Sequence, residues 1–339
     1  MHVTLRGHPP FVRVVHTSRV STHRPPHVIG HRGAPALRPE HSASGYRLAV
    51  EAGAEFVEPD VVPSRDGVLV VRHEPVLDET TDIAARPEFA DRRGSFEVDG
   101  ARIDGWFAND LDWDEIRTLR TRERLPRLRP GSAAHDNEDR VLRLRELVEL
   151  LDEADGATGL VIELKHPSLA EELGLDLVEA LERELEGRWD APSMRGLVFE
   201  SFEWDVLRRL RERGLPGRLV ALVEGTDGTG PDARARDLEL LDSLAPWADG
   251  VSVFHERLEL GGAADDPTLV ASTRGAHLVR EAHERGLDVF TWTLRSEDEF
   301  LPASFAGRPD DYARAIAATG LDAVFADDPG RARQAFARD

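Results

Sequence analysis

Two carboxylates stand two residues apart in the apolar run 56–61, at Glu58 and Asp60. A β-strand turns alternate side chains to the same face, so this spacing predicts that both acids point the same way. Two acids on one buried face repel each other unless a cation lies between them. Glu163 and Lys165 repeat the spacing with an acid and a cation. These pairs therefore favour a site that binds a metal ion or a phosphate.

Two histidines end apolar runs in the same part of the chain. His31 follows the run 28–30 and precedes Arg32, and His73 ends the run that begins at Val68. Imidazole titrates near neutral pH, so two histidines on opposite sides of a phosphorus atom can act as base and acid. A guanidinium such as that of Arg32 suits the phosphate oxygens.

The ligand chemistry predicts a hard cation. The sequence contains no cysteine, which excludes disulfides, thiolate zinc sites and a cysteine nucleophile. The three acids Glu58, Asp60 and Glu163 offer oxygen ligands, which suit one Mg²⁺ or Ca²⁺. Such an ion polarises a phosphoryl oxygen and lowers the pKa of a bound hydroxyl or water. Together with the histidines, this set of groups matches the cleavage of a phosphodiester.

Two further residues are predicted to contact the substrate. Lys165 is the only lysine among 43 basic residues, and a compact ammonium suits a phosphate contact. The alternative is that Lys165 remains by chance in a chain that favours arginine, but its place beside Glu163 favours the functional interpretation. Trp292 either lines the substrate pocket or fills the core, and we favour the pocket. His255 is interpreted as a structural residue.

Short apolar runs alternate with helical patterns from Pro26 onward, which predicts an α/β fold with a parallel sheet. The predicted helices cover 42–52, 170–185, 204–213 and 273–285, among others. The predicted strands cover 27–31, 55–62, 68–73, 160–164, 197–199, 219–222, 250–253 and 289–293. No glycine-rich dinucleotide loop follows the first strand, so a closed TIM-type (β/α)8 barrel is favoured over an open sheet.

One connection departs from the β-α pattern. Residues 64–67 read Ser-Arg-Asp-Gly, a tight turn too short for a crossover helix, so 68–73 is predicted to return as a hairpin. More than 80 residues then separate His73 from Leu160. We expect about 75–140 to form an insertion at the C-terminal mouth of the barrel. The predicted organisation is a flexible leader, 1–26, and one barrel domain, 27–339.

Composition limits the partners. With 339 residues, 40% of them apolar, the chain can bury one large core. Its net charge of −21 argues against binding nucleic acid. The sequence contains no run of about 18 apolar residues, so stable membrane insertion is not expected. Residues 1–26 lack the apolar stretch of roughly 7 to 15 residues that a secretory signal needs. A cytoplasmic location is expected, or a periplasmic or secreted one if the native start lies elsewhere.

These motifs resemble, in order and spacing, those of the glycerophosphodiester phosphodiesterase family, and most closely its larger, periplasmic-type branch. The matching segments are His31-Arg32-Gly33, Glu58-Pro59-Asp60-Val61, Asp66-Gly67, Val70-Val71-Arg72-His73-Glu74 and Glu163-Leu164-Lys165. Weaker similarity continues through Phe325-Ala326-Asp327-Asp328-Pro329. Two positions depart from the family pattern: Glu74 stands where Asp is usual, and Glu200 where Gln is common.

The resemblance implies metal-dependent hydrolysis of small glycerophosphodiesters to glycerol 3-phosphate and an alcohol. It assigns acid-base catalysis to His31 and His73, and metal binding to Glu58, Asp60 and Glu163. A related barrel phospholipase, of the phospholipase D-like or phosphoinositide type, would release a cyclic phosphate and would need an apolar membrane-facing surface, whereas the insertion here is charged. A non-catalytic barrel would be expected to lack at least one of these five residues, and all five are present.

Overall fold

The alternating runs form a closed parallel barrel in the computed structural model, which describes residues 24–98, 100–154, 156–225, 231–261 and 270–337. Of the leader predicted over 1–26, residues 1–23 lie outside the described residues. In chain order the strands are β1 (His27–His31), β2 (Phe56–Glu58), β3 (Asp60–Pro63), β4 (Leu69–Val71), β5 (Gly94–Val98), β6 (Ala101–Gly105), β7 (Gly159–Leu164), β8 (Val198–Ser201), β9 (Arg218–Val223), β10 (Gly250–Phe254), β11 (Asp288–Leu294) and β12 (Ala323–Ala326).

Helices cover the outside of the barrel. They are α1 (Ala43–Glu51), α2 (Trp113–Ile116), α3 (Pro130–Ala133), α4 (Leu144–Ala154), α5 (Pro167–Glu172), α6 (Leu177–Glu184), α7 (Trp204–Glu212), α8 (Pro231–Leu244), α9 (Arg274–Glu284), α10 (Pro309–Ala318) and α11 (Pro329–Phe336). None of the helices that the structure describes has the length and apolar character needed to cross a bilayer.

The barrel has eight parallel strands if β2 and β3 are counted as one. Both pair with β7, and Pro59 separates them because proline has no N–H to donate to the ladder. β1 pairs with β2 on one side and with β12 on the other, which closes the ring. The prediction of a TIM-type barrel is therefore confirmed.

Three local features refine the sequence prediction. Residues 68–73 contain β4, which returns antiparallel to β3 as the short turn predicts. The strand missing from the predicted set is β12, whose four residues give too short an apolar run to distinguish a strand from a helix. The single helix predicted over 170–185 is wrong, because Gly174 at φ 75° ends α5 and Asp176 caps α6.

Apolar side chains fill the space inside the strands and the layer between strands and helices. Inside the barrel, the packed residues include Ile29, Val161, Val198, Val220, Phe290 and Phe325. Outside it, α4 places Leu144, Leu147, Val148 and Leu151 against the sheet, at the spacing of one helical face. Each such side chain contributes roughly 1.5–3 kcal/mol on burial, so the ring is held on both faces.

The segment between β4 and α4 has an apolar cluster of its own. The segment includes the β5–β6 hairpin, α2 and α3. The cluster packs it against β3 and β4, and its buried residues are Val62 and Val70 from those strands with Leu77, Ile83, Phe89, Ala108, Leu111, Trp113, Ile116, Leu119 and Val141. The last part of the segment, which we call the 121–137 loop, is closed at its base because Asn137 N–H donates to the Thr121 carbonyl at 2.9 Å. This loop reaches the mouth of the barrel.

Candidate active site

A cavity of about 110 Å³ opens at the carboxyl ends of the barrel strands. Seven of the eight residues predicted for the site line it: His31, Arg32, Glu58, His73, Glu163, Lys165 and Trp292. The eighth, Asp60, is buried and does not line the cavity, but Lys165 Nζ lies 3.3 Å from its Oδ1. The structure thus brings the predicted groups together at one end of the barrel.

The chain turns sharply after β1, and this turn directs His31 and Arg32 to the cavity. Arg32 has φ 52° and Gly33 has φ 93°, a region that favours glycine. A Cβ on Gly33 would lie 2.9 Å from the Gly45 carbonyl carbon at the start of α1, so a side chain has no room there. The Arg32 N–H donates to Glu58 Oε2 at 2.8 Å, which ties the turn to the neighbouring strand.

Three glutamates from β2, β7 and β8 form a compact carboxylate cluster. Ligand oxygens of Glu58, Glu163 and Glu200 all lie within 4.8 Å of one another, and all three residues are buried. Sequence reasoning did not assign Glu200 to the site, and its only signal was the departure from the glutamine common there. Asp60 stands beside this cluster, with its Oδ2 3.0 Å from His41 Nε2 and 3.3 Å from Arg32 Nε.

Several of these oxygens are suited to a cation. Among the residues that the structure describes, Glu58 Oε1 and Glu200 Oε2 are buried and have no hydrogen-bond partner. Asp60 Oδ1 and Glu163 Oε1 pair instead with the Lys165 ammonium, whose Nζ lies 3.3 and 2.6 Å from them. Buried carboxylates without partners are costly unless they are protonated or bind a metal ion. The oxygen-only donor set therefore fits a hard divalent cation.

The electrostatics of the cluster agree with this fit. Burial, reinforced by the neighbouring carboxylates, raises the pKa of Glu58 and of Glu200 well above the usual range. Burial also raises the pKa of Glu163 to about 8, although Lys165 opposes the shift. Burial opposes ionisation of Asp60 as well, but Lys165, His73 and Arg32 hold its pKa well below the usual range. The protein alone thus leaves part of the cluster short of positive charge.

His31 is paired with a carboxylate from the far end of the chain. Its Nδ1 lies 2.6 Å from Asp327 Oδ1, at the end of β12, and this pairing leaves Nε2 as the ring nitrogen available to a substrate. The other oxygen, Asp327 Oδ2, accepts from Arg129 Nη2 at 2.5 Å and from Arg295 Nε at 2.9 Å. Burial and the nearby Arg32 lower the pKa of His31 to about 4.

His73 has a similar arrangement built from its own neighbour. Its Nδ1 lies 2.6 Å from Glu74 Oε1, so Nε2 is again available. Arg124 Nη1 donates to the same oxygen at 2.6 Å, and Arg124 Nη2 donates to Glu74 Oε2. Burial, with Arg32 and Lys165, lowers the pKa of His73 to about 3. Glutamate in place of the usual aspartate therefore keeps the contact with the imidazole.

The opposite wall of the cavity is aromatic. The ring of Trp292 lies 5.4 Å from that of Phe202 and 5.2 Å from that of Phe254, centroid to centroid. Lys165 Nζ lies 5.5 Å from the Phe202 ring. His255 also lines this wall while its Nδ1 pairs with the Tyr312 hydroxyl at 2.6 Å. The cavity thus offers charged groups on one side and an apolar surface on the other.

Comparison with known proteins places this geometry in a family. Residues 31–331 match the glycerophosphoryl diester phosphodiesterase family. The chain belongs to this family. It is an enzyme of the phosphodiesterase class, and the resemblance found in its sequence motifs is confirmed.

Relatives and solved structures agree over most of the chain. Glycerophosphodiester phosphodiesterase GDPD6 of Arabidopsis thaliana is 27% identical, with 95% of this chain and 90% of that protein covered. The glycerophosphodiester phosphodiesterase of Treponema pallidum is 24% identical, with 89% of each covered. A phosphodiesterase of Oleispira antarctica, solved with the product sn-glycerol-3-phosphate, shares the fold at a TM-score of 0.61 and 22% identity, covering 92% of this chain and 96% of that one.

Proposed function

We propose that this chain hydrolyses glycerophosphodiesters to glycerol 3-phosphate and an alcohol, with one divalent cation and two histidines. The observation that carries the proposal is a single cavity in which two carboxylate-paired imidazoles stand beside a cluster of buried, unpaired carboxylate oxygens. The names of the relatives point to the same substrate class, and the Oleispira antarctica protein was solved with its product, sn-glycerol-3-phosphate.

In this proposal Glu58, Asp60 and Glu163 hold the cation, Mg²⁺ or Ca²⁺, and Glu200 joins them. Glu200 is included because its Oε2 is buried and unpartnered within the carboxylate cluster. When bound, such a cation polarises a phosphoryl oxygen and lowers the pKa of a coordinated hydroxyl or water. Lys165 lies close enough to pair with Asp60 and Glu163, and is thus in reach of a phosphate held beside them.

The two histidines divide the proton transfers because displacement at phosphorus occurs in line. The group that attacks and the group that leaves stand on opposite sides, so one imidazole removes a proton and the other supplies one. His31 ends β1 and His73 lies two residues after β4, and both line the cavity. The glycerol hydroxyl of the substrate first gives up its proton and attacks the phosphorus, which forms a cyclic phosphate. The bond to the alcohol breaks, and the alcohol leaves with a proton from the other imidazole. Water then opens the cyclic phosphate while the histidines exchange roles.

The remaining predicted residues bind and orient the substrate. Arg32 and Lys165 supply positive charge for the phosphate oxygens, and both pair with carboxylates at the cavity. Trp292 and Phe202 form an apolar wall against which the glycerol carbon chain packs. The side chains of Arg32 and Lys165 are mostly buried, which strengthens their electrostatic effect on the reacting phosphate.

The test is to measure glycerol 3-phosphate release from glycerophosphocholine and glycerophosphoethanolamine before and after exhaustive chelation. We expect release from the untreated enzyme, loss of it after chelation, and recovery on addition of Mg²⁺ or Ca²⁺. Full turnover without metal would contradict the role of the carboxylate cluster. A cyclic phosphate as the final product would instead indicate the phospholipase-type reaction.

A further inference from the structure

One surface loop touches both histidine pairs. The 121–137 loop carries Arg124 and Arg129, which lie five residues apart and contact two different carboxylates at the mouth of the barrel. Arg124 binds Glu74, the partner of His73, and Arg129 binds Asp327, the partner of His31. The two carboxylates lie far apart in sequence, because Glu74 follows β4 and Asp327 follows β12.

All three guanidinium nitrogens of Arg124 donate hydrogen bonds to two carboxylates, those of Glu74 and Glu40. Besides the two hydrogen bonds to Glu74, its Nε donates to Glu40 Oε2 at 2.9 Å and its Nη2 to Glu40 Oε1 at 2.8 Å. Glu40 is buried and also lies 3.3 Å from Arg32 Nη1. A bidentate guanidinium–carboxylate pair fixes direction as well as distance. Glu74 has one more rotatable bond than aspartate, and Arg124 restricts that added freedom.

Arg129 makes the corresponding contact on the other side. It is buried, and it donates from Nη2 to Asp327 Oδ2 at 2.5 Å and from Nε to Glu297 Oε1 at 2.6 Å. Arg295 donates to the same Asp327 oxygen, so Arg129 is one of two cations that hold this carboxylate. Asp327 Oδ1 remains for His31.

The loop that carries the two arginines is itself braced. Glu123 is buried within it, and its carboxylate accepts from the Leu125 N–H at 2.8 Å and from the Ser132 hydroxyl. The Arg129 N–H donates to the Leu125 carbonyl at 2.8 Å, which closes a turn between the two arginines. The separation of the two guanidinium groups is therefore set by the loop.

We propose that the 121–137 loop is a positioning element that orients both histidines, through Arg124 and Glu74 on one side and through Arg129 and Asp327 on the other. A carboxylate fixes the tautomer and angle of an imidazole best when hydrogen bonds from a third group fix the carboxylate itself. Removal of such supporting groups behind a functional histidine commonly lowers activity 10- to 100-fold. This inference rests on the proposed catalytic roles of His31 and His73.

The first experiment replaces each arginine and keeps the full chain. Arg124→Ala and Arg129→Ala should each lower kcat by about 10-fold or more, while KM for glycerophosphocholine changes little. Arg127→Ala is the matched control, because Arg127 lies on the same loop between them and is exposed. Lysine cannot form the bidentate pair, so Arg124→Lys should recover little of the loss. Added methylguanidinium should restore part of the lost kcat, an outcome that a purely architectural role does not produce.

The second experiment is a crossed double-mutant cycle, which separates positioning from general support of the fold. Arg129→Ala should have little further effect in an Asp327→Asn background, yet its full effect in a Glu74→Gln background. Arg124→Ala should show the reverse pattern. If Arg124→Ala or Arg129→Ala fails to fold, Arg124→Gln or Arg129→Gln replaces it in the same comparison. The melting temperature of each variant is the check on folding.

Four outcomes are decisive. Normal kcat in both arginine variants, or losses that simply add in every background, would overturn the inference. A loss of kcat that follows the loss of melting temperature and is insensitive to methylguanidinium would do so as well. If instead His31→Ala and His73→Ala retain normal turnover, the proposed function has failed, and the arginine variants then report only on stability.

Discussion

The two histidine–carboxylate pairs at the cavity are held by two different kinds of support. His31 and Asp327 are 296 residues apart and meet because β1 pairs with β12. Their side chains are 11% and 2% exposed. His73 and Glu74 are neighbours in sequence, with side chains 27% and 28% exposed. Closure of the barrel makes the first pair, and Arg129 and Arg295 hold its carboxylate. The second pair is local, and Arg124 holds its carboxylate. The site thus has a buried half, His31 with Asp327, and a partly exposed half, His73 with Glu74.

The largest expected effect treats the two halves alike. His31→Ala and His73→Ala should each reduce kcat by about 10²- to 10⁴-fold, the usual value of general acid-base catalysis. Calcium or magnesium binding, measured by titration calorimetry, should stay intact because the carboxylate cluster is unchanged. A His73→Ala enzyme with near-normal turnover, or one that no longer binds metal, would show that the roles are assigned wrongly.

The next effect should separate the halves. Asp327→Asn should lower kcat by about 10- to 100-fold, because asparagine can favour the wrong imidazole tautomer in a buried position. Glu74→Gln should lower it less, since water can reach a side chain that is partly exposed. The measurement is kcat for both variants under identical metal concentrations. Equal losses, or a larger loss for Glu74→Gln, would remove the distinction between the buried and the partly exposed half.

The sequence predicted the groups that local spacing controls. Glu58, Asp60, Glu163 and Lys165 were found because a strand repeats every two residues and barrel strands end at one mouth. Asp327 was not assigned, because only barrel closure brings it to His31.

The outer partners were missed for a related reason. Arg129 lies 198 residues from Asp327, and Arg124 lies 50 from Glu74. Both contacts depend on how an irregular loop folds over the mouth, which apolar periodicity does not encode. Glu200 carried one signal, its departure from the common glutamine, and its place in the carboxylate cluster emerged only from the pairing of β7 with β8.

Stability should also distinguish the two halves. Asp327→Ala leaves buried Arg129 without one partner, and breaking a buried ion pair costs about 3–5 kcal/mol in the free energy of unfolding. Glu74→Ala should cost roughly 1 kcal/mol, nearer the value of exposed pairs, because Glu74 retains contact with solvent. Urea denaturation of both variants measures the difference. A Glu74→Ala variant as unstable as Asp327→Ala would contradict the contrast.

The smallest effect concerns a histidine at the end of the barrel opposite the cavity. His283 Nε2 lies 2.9 Å from Asp322 Oδ2, and this hydrogen bond raises the pKa of His283 above its ordinary value of 6.5. A pKa raised by folding stabilises the protein below the unfolded value, and this contribution disappears as pH rises through the folded value. His283→Gln should therefore be less stable than the unaltered chain at pH 5.5, with the difference shrinking towards pH 8.5.

His277→Gln on the same helix, α9, is the control for this last prediction, since His277 faces Glu281 and not Asp322. Urea denaturation at each pH gives the comparison. His31 and His73 should act on stability in the opposite direction, because burial lowers their pKa values. Their contribution destabilises the folded chain as pH falls from 6.5 towards the pKa in the folded state. A difference between His283→Gln and the unaltered chain that grows with rising pH would mean that Asp322 does not favour the protonated imidazole. An unchanged difference across the range would mean that the two groups are not coupled in the folded protein.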